Sequence, residues 1–279
     1  MTTTLRPAEP LQQTPDGGRS RTYDVCVNSR RVGSVHLSTD AGFGAATGVI
    51  SRLEVREPDR GRGRGTVAAL ASEEVLRGWG CVGVQISVPA DAGPALRMAA
   101  ALGYTERSRN MVKELSAEPP ALPEGVEVRP MTEAEFVTWE AGAKEGFARS
   151  WIDRGVPEEQ ARAKAESSHA RFLPEGLATP GVAIHVIVRD GRPAGFLWTG
   201  RMELEPGRWA AFVFNIEVDE AQRGHGYGRA LMLLAERVAR EAGETLLGLH
   251  VFAGNTPAIR LYESLGYRTT HINSAKELR

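Results

Sequence analysis

The sequence predicts a chain of two α/β units in tandem, each built on a mixed sheet. Short apolar runs rich in β-branched residues alternate with helix-length segments along most of the 279 residues. One stretch also recurs without a gap, because subtracting 163 carries residues 216–278 onto residues 53–115. A repeat of this length indicates an internal duplication. The chain length agrees, since it suits about two domains.

The register of the repeat is clearest at three places. The glycines at 224, 226 and 228 fall on those at 61, 63 and 65. Leu265-Gly266-Tyr267 falls on Leu102-Gly103-Tyr104, and Lys276-Glu277-Leu278 falls on Lys113-Glu114-Leu115. Two copies of one structural unit are therefore expected.

Composition excludes several classes of protein. A net charge of -1 and a pI near 6.6 give no reason to expect a nucleic-acid or membrane partner. Cys26 and Cys81 are too few for a disulfide framework or a metal cage, so we expect no metal site and a reducing, cytoplasmic setting. No apolar segment approaches the length of about 18 residues that a membrane span needs.

The elements of the first unit follow in order. Residues 1–20 are rich in Thr, Pro, Gln and Gly, which predicts a disordered tail. The first domain is expected over residues 21–115. A hairpin turns at residues 28–31, a third strand runs over 47–55, a helix over 66–78, a strand over 82–88 and a short helix over 94–102, before a terminal strand pair. Residues 116–125 form a proline-rich linker.

The second domain is expected over residues 126–279. Thr132 with Glu135 forms a capping box for a first helix, and Pro157 begins a second one. The first copy has no counterpart of these two helices. Asp190-Gly191 predicts a tight hairpin between two strands, and a third strand then leads to the glycines. A helix, a strand, a last helix and a final strand pair complete this copy.

The segment Arg223-Gly224-His225-Gly226-Tyr227-Gly228-Arg229 lies between a strand and a helix. Closely spaced glycines let several backbone N–H groups point at one ligand, and the helix N-terminus adds positive potential. This predicts an anion site. A Rossmann loop would need a glycine at Arg229, and a Walker loop would need a following Gly-Lys-Ser/Thr.

The pattern Arg/Gln-x-x-Gly-x-Gly after a strand resembles the pyrophosphate loop of the GNAT acetyltransferase superfamily. Residues 249–255 and 258–267 resemble that family's second half. The resemblance implies two tandem GNAT folds, the first truncated at its N-terminus, and acetyl-CoA as cofactor. It also implies a set of cofactor-binding residues: Ile216, Val218, Arg223, Gly224, His225, Gly226, Tyr227, Gly228, Arg229 and Asn255.

The resemblance places a proton donor at Tyr262 and a pantetheine contact at Asn255. The register carries these residues onto Ala99 and Ala92, so we interpret the second copy as catalytic and the first as degenerate. The alternative for Tyr262 is an ordinary core aromatic residue, because apolar residues lie beside it at helical spacing.

Two side chains compete for the role of general base. His250 is on the strand that follows the glycine-loop helix, and an imidazole with a pKa near 6.5 suits proton removal at neutral pH. Glu217 is the rival, but its register partner Glu54 survives in the degenerate copy. Deprotonation through water, with His250 as a structural residue, is the third alternative.

The first copy keeps a glycine loop and so predicts a second cofactor site. Its residues are Arg60, Gly61, Arg62, Gly63, Arg64 and Gly65. The function predicted overall is transfer of an acetyl group to the primary amine of a small molecule or peptide. A non-catalytic protein that binds acetyl-CoA or a partner is the alternative, and the sequence leaves a homodimer open.

Overall fold

The computed structural model describes residues 2–15, 17–40 and 46–278. The chain divides into two compact units. Unit 1 comprises the chain up to Ser108 together with the residues from His271 onward, and unit 2 comprises Arg109–Thr270. In the part of the chain that the structure describes, none of the helices has the length and apolar character needed to cross a bilayer.

Unit 1 is a twisted sheet with two helices. Its elements are β1 (Thr3–Pro7), β2 (Gln12–Gln13), β3 (Arg19–Val27), β4 (Arg30–Thr39), β5 (Thr47–Val55), α1 (Arg64–Gly78), β6 (Gly83–Pro89), α2 (Gly93–Ala101) and the start of β7 (Thr105–Glu114). Asn28 and Ser29 both have positive φ, which is the geometry of a two-residue hairpin turn between β3 and β4. The sheet order is β1-β3-β4-β5-β6-β13.

The predicted disordered tail is wrong for most of residues 1–20; Met1 and Asp16 lie outside the described residues. β1 pairs with β3 from Thr3↔Val27 to Pro7↔Tyr23, and β2 pairs with β3 as well. Leu5 packs against the buried cluster around Val25. The segment has few apolar residues to bury, but an edge strand is held chiefly by backbone hydrogen bonds, which composition does not report.

Unit 2 contains the two helices that the first copy lacks. Its elements are β8 (Glu127–Pro130), α3 (Glu133–Ile152), α4 (Glu158–Phe172), β9 (Ala183–Arg189), β10 (Arg192–Glu205), β11 (Arg208–Val218), α5 (Tyr227–Glu241), β12 (Leu246–Phe252), α6 (Thr256–Ser264) and the start of β13 (Arg268–Glu277). Thr132 and Glu135 form the predicted capping box. Asp190 and Gly191 both have positive φ at the predicted β9–β10 turn. The sheet order is β7-β12-β11-β10-β9-β8.

Each copy ends in one long strand, where the sequence predicted a strand pair. Each of these strands passes from one unit into the other, which moves the unit boundaries away from those predicted. In unit 1, residues 271–277 of β13 pair with β6. In unit 2, Leu115 donates its N–H to the Thr245 carbonyl at 2.9 Å, and the equivalent Leu278 donates to Val82 in unit 1 at 2.8 Å. Each copy therefore supplies the strand that completes the other copy's unit.

A buried Glu–Lys pair accompanies each exchanged strand. In unit 2, Lys113 Nζ lies 2.7 and 2.8 Å from the two carboxylate oxygens of Glu236. In unit 1, Lys276 Nζ lies 3.0 and 2.8 Å from those of Glu73, and the Tyr104 hydroxyl donates to the same carboxylate at 3.0 Å. Both lysines come from the copy to which the glutamate does not belong.

Candidate active site

Two neighbouring strands of unit 2 separate near their carboxyl ends. The parallel pairing of β11 with β12 has its last pair at Val213↔Leu249. Phe214 is an extra residue in β11 at a bulge against β10. β11 then continues to Val218 and β12 to Phe252, and no further pairing joins them in the described part of the chain. The sheet therefore has an opening between these two strand ends.

The glycine-rich loop leads from β11 into α5. Gly224 and Gly226 both have a φ of +82°, and Gly226 is the N-cap of the helix. No acceptor among the described residues takes a hydrogen bond from the six backbone N–H groups of residues 224–229, and Ala230 donates the first helical bond. Unbonded donors at the positive end of a helix form a site for an anion.

Contacts with α6 hold this loop in place. A Cβ at Gly228 would lie 3.3 Å from Leu261, so the glycine permits close packing of the two helices. Arg229 donates to the Ser264 hydroxyl at 2.7 Å. With its proton on Nδ1, the His225 ring donates to two carbonyls of its own loop at 3.1 and 3.2 Å. The loop conformation is thus set by protein contacts.

The other predicted cofactor residues surround the same loop. Ile216 and Val218 are half-buried on the part of β11 that borders the opening. Tyr227 is the first residue of α5 and is half-buried, while Arg223 is exposed and lies 3.7 Å from the Glu220 carboxylate. The structure brings these residues together; whether they bind the cofactor stays a prediction.

Tyr262 and Asn255 are both at α6. The Tyr262 side chain is buried, with its ring centroid 6.0 Å from that of Tyr267. Burial raises the pKa of Tyr262 to about 12, so its hydroxyl keeps its proton at neutral pH. Asn255 is the N-cap of α6 and accepts a hydrogen bond from the Ala258 N–H at 3.3 Å. Asn255 therefore has a structural role besides the predicted cofactor contact.

The two predicted bases lie on the strands that border the opening. His250, on β12, is exposed to solvent, yet the protein around the ring desolvates it and lowers its pKa to about 4. Lys164 and Arg154 lower this pKa further by electrostatic repulsion. Glu217 is exposed on β11. The imidazole is thus neutral at pH 7, but it is a weaker base than the sequence led us to expect.

Side chains from α3, from the turn after it and from α4 meet β12 in a group that we call the cationic aromatic cluster: Trp151, Arg154, Lys164, His250 and Phe252. Phe252 lies edge-on to both His250 and Trp151, with ring centroids 5.3 and 5.2 Å away. The Arg154 guanidinium lies 3.8 Å from the centroid of the Phe252 ring, and Lys164 Nζ lies 5.5 Å from that of Trp151. Two cations and two aromatic rings therefore lie in one cluster with the exposed His250.

Two other side chains of α3, Trp139 and Glu145, have partners outside this cluster. Trp139 is buried against Trp198, with ring centroids 5.8 Å apart, and is a core residue. Glu145 forms ion pairs with Arg149 and Arg162 on exposed helix faces. Sequence reasoning did not identify Arg154 and Lys164. A usable signal was the spacing of Arg154 three residues after Trp151, which places both on one face of the chain's helical turn.

Unit 1 repeats the backbone of this site. Its parallel pairing of β5 with β6 has its last pair at Ile50↔Ile86, the register equivalent of the last pair in unit 2. Gly61 and Gly63 have φ of +72° and +71°, and Gly63 is the N-cap of α1. The backbone N–H groups of residues 61–66 likewise have no acceptor within the described part of the chain. The anion cradle is therefore present in both units.

The side chains of the unit 1 loop differ from the sequence-based expectation. Arg64 is buried and forms an ion pair with Asp59, whose carboxylate also receives two hydrogen bonds from Arg30 at 2.7 and 3.0 Å. Arg64 thus points into the unit and is not available to a phosphate. Arg60 donates to the Val55 carbonyl at 2.7 Å. The arginines of this loop therefore offer less positive charge to a phosphate than their number suggests.

Comparisons with known proteins agree with this architecture. Residues 144–267 match the family model described as the Acetyltransferase (GNAT) family. The uncharacterized N-acetyltransferase YdgE of Bacillus subtilis is 36% identical over 151 residues, which cover 53% of this chain and 95% of that protein. The mycothiol acetyltransferase of Thermomonospora curvata is 29% identical over 264 residues, covering 90% of this chain and 80% of that one.

A solved structure shares the fold. The crystal structure of a GCN5-related N-acetyltransferase from Sphaerobacter thermophilus matches with a TM-score of 0.62 at 21% identity, covering 92% of this chain and 81% of that chain. The chain belongs to the GNAT family of N-acetyltransferases. The predicted fold class of two tandem GNAT folds on a mixed α/β sheet is confirmed.

Proposed function

We propose that the chain is an acetyl-CoA-dependent N-acetyltransferase whose unit 2 transfers an acetyl group directly to a primary amine in a ternary complex. The observation that carries this proposal is the set of six unbonded N–H groups at residues 224–229, next to an opening between β11 and β12. Tyr262 on the adjacent α6 supplies a proton donor that unit 1 lacks.

The loop would hold the pyrophosphate of coenzyme A. Backbone donors from Gly224 to Arg229 match an anion with several oxygens, and the α5 N-terminus favours its charge. Bound acetyl-CoA supplies a thioester, whose carbonyl carbon is the site of attack by an amine. The unpaired backbone of β11 and β12 at the opening suits an extended, amide-containing arm such as pantetheine.

Acetyl transfer requires two proton transfers, one to the leaving thiolate and one from the amine. Tyr262 keeps its proton because burial raises its pKa, so its hydroxyl is protonated and can donate to a leaving thiolate. The amine must lose one proton when its nitrogen forms the new bond. His250 is neutral at pH 7 and can accept a proton, but its lowered pKa makes it a weak base. We therefore retain Glu217, or water, as alternatives.

The test combines binding with turnover. Calorimetry should give saturable acetyl-CoA binding, and thiol release with an amine panel should show turnover that requires Tyr262. Tyr262→Phe should lower kcat about a hundredfold or more with little change in acetyl-CoA affinity, since the hydroxyl acts only in the transition state. Tyr267→Phe is the control, because this tyrosine is equally buried next to Tyr262. Equal turnover in the two variants would reduce Tyr262 to a packing residue.

The non-catalytic alternative has a distinct outcome. A protein that only senses acetyl-CoA would bind it and release no thiol with any amine, beyond the rate of spontaneous hydrolysis. That result would overturn the proposed catalysis while leaving the loop assignment intact.

A further inference from the structure

We propose, on the basis of the proposed function, that the acetyl acceptor is an amine that also carries a carboxylate, bound at the cationic aromatic cluster of Trp151, Arg154, Lys164, His250 and Phe252. The structure thereby indicates a substrate class that the sequence left open. The proposal concerns the acceptor and assigns no further role to the phosphate loop, which leads from the carboxyl end of β11 into α5.

The cluster lies beside the opening between β11 and β12, where we expect the acceptor to bind. His250 and Phe252 are on β12, beyond Leu249, where pairing with β11 ends. Trp151 is in the last turn of α3, Arg154 lies in the turn just after this helix, and Lys164 is on α4. These helices are the part of unit 2 that unit 1 lacks, and unit 1 also lacks the proton donor. Residues that occur only in the unit with the donor are the ones expected to bind its acceptor.

The electrostatics of the cluster favour an anion. Arg154 and Lys164 both act on the His250 ring as positive charges, and both are half-buried, so solvent screens them less than it would at a fully exposed site. A polyamine or any substrate with only ammonium groups would be repelled there. A carboxylate would be attracted, and a planar guanidinium is well suited to bind one.

The positive potential of Arg154 and Lys164 also favours deprotonation of the acceptor amine. An ammonium that enters a positive environment has a lowered pKa, because like charges disfavour the charged form. The acceptor nitrogen would thus lose its proton more readily, which reduces the demand on a weak base such as His250. The rings of Trp151 and Phe252 add apolar surface, which suits an acceptor with a hydrocarbon or aromatic body.

Matched acceptors test the proposal directly. We would compare L-phenylalanine with L-phenylalaninamide and L-leucine with L-leucinamide in the thiol-release assay. The amides have the more acidic ammonium groups and are intrinsically the better nucleophiles at neutral pH, so a preference for the acids must come from binding. We expect kcat/KM for each acid to exceed that for its amide about tenfold or more. Equal values, or a preference for the amides or for polyamines, would overturn the proposal.

Charge-removing variants assign the preference to the cluster. Lys164→Gln and Arg154→Gln should each reduce the acid-to-amide ratio about tenfold, with acetyl-CoA affinity unchanged. Arg162→Gln is the matched control, because Arg162 is on the same helix as Lys164 but pairs with Glu145 and Glu158 on the exposed face. A ratio that falls equally in the control would show a general charge effect and contradict a specific site.

A binding experiment separates this inference from the proposed function. N-acetyl-L-phenylalanine and its amide can be titrated while the His250 imidazole resonances are followed by NMR. The acid should bind saturably and raise the pKa of His250, and the amide should bind at least about tenfold more weakly. If no amine is acetylated, the proposed function fails whatever this titration gives. If amines are acetylated but the titration shows no preference for the acid, only the inference about the acceptor fails.

Discussion

Removing Lys113 should destabilise unit 2, although Lys113 belongs to the first copy of the repeat. Its ammonium lies within 2.8 Å of both oxygens of Glu236, and the two side chains are 20% and 5% exposed. Lys113→Met keeps the apolar stem but leaves a buried carboxylate without its cation. Breaking a buried pair in this way typically costs about 3–5 kcal/mol, and the partial exposure of the lysine favours a value of about 3 kcal/mol. Unit 2 should therefore melt about 6–12 °C lower.

Hydrogen exchange locates the damage. Lys113→Met should reduce the protection of amides in α5, which contains Glu236, whereas Lys276→Met should reduce protection in α1, which contains Glu73. The reasoning fails if Lys113→Met instead weakens α1, because that would mean that each lysine pairs within its own copy. The two variants serve as controls for each other, since they remove the same group at equivalent positions.

A double-mutant cycle adds a quantitative test. Lys113→Met combined with Glu236→Gln should cost much less than the sum of the single changes, with a coupling of about 1–3 kcal/mol. Lys113→Met combined with Glu73→Gln should be additive within about 0.5 kcal/mol. Coupling to Glu73 in place of Glu236 would refute the exchange of strands.

Three further results are expected. Gly226→Asp should weaken acetyl-CoA binding at least about a hundredfold, because the new side chain is strained at a left-handed backbone conformation and its carboxylate repels phosphate. Gly207 has a φ of +78° and is not part of the loop. The control variant Gly207→Asp therefore imposes the same strain but should leave acetyl-CoA binding normal. Gly63→Asp should lower the number of acetyl-CoA molecules bound per chain from two to one. If the unsubstituted chain binds only one and Gly63→Asp does not change that number, the unit 1 loop does not bind the cofactor. Thermal stability should fall as the pH drops below about 6.5, because the pKa values of His169, His185 and His250 are lowered in the folded chain and the unfolded chain then binds more protons. His169→Phe should reduce this slope by the contribution of one histidine, and an unchanged slope would contradict the role of His169.

Backbone features of the site could be predicted from sequence. A glycine at positive φ and a helix that begins after a glycine cluster are local properties, so Gly224, Gly226 and the α5 N-terminus lie where the pattern placed them. The hairpin at Asp190-Gly191 was predictable for the same reason. The ungapped repeat then predicted the corresponding loop of unit 1.

The long-range pairings could not be predicted. Lys113 and Lys276 occupy equivalent positions, as do Glu73 and Glu236, so the sequence fits pairing within a copy as well as exchange between copies. Only the course of β7 and β13 decides between these arrangements. The burial of Arg64 could not be predicted either. Its partner Asp59 falls on Gln222 in the second copy, so the repeat gives no sign of this ion pair.

The proposed acceptor site could not be predicted from the sequence for a different reason. Arg154 directly follows α3 and Lys164 is on α4, and both helices have little apolar contrast between their faces. In the sequence, a cation in this cluster therefore looks like one on a solvated helix face. Their significance depends on which strand residue they approach, here the exposed His250. Sequence spacing alone cannot supply that contact.

The exchange of strands gives a physical reason for the unequal divergence of the two copies. Each unit contains a buried glutamate whose lysine partner belongs to the other copy. A mutation that removes either lysine from one copy would therefore leave an unpaired buried carboxylate in the unit that contains the other copy's glutamate. The Glu–Lys pair and its neighbouring tyrosine accordingly occur in both units. No such dependence links Tyr262 to its register equivalent Ala99, so a tyrosine at this position of unit 1 can be replaced without destabilising unit 2. A duplicated chain of this kind can therefore lose one set of site residues while it retains both folds.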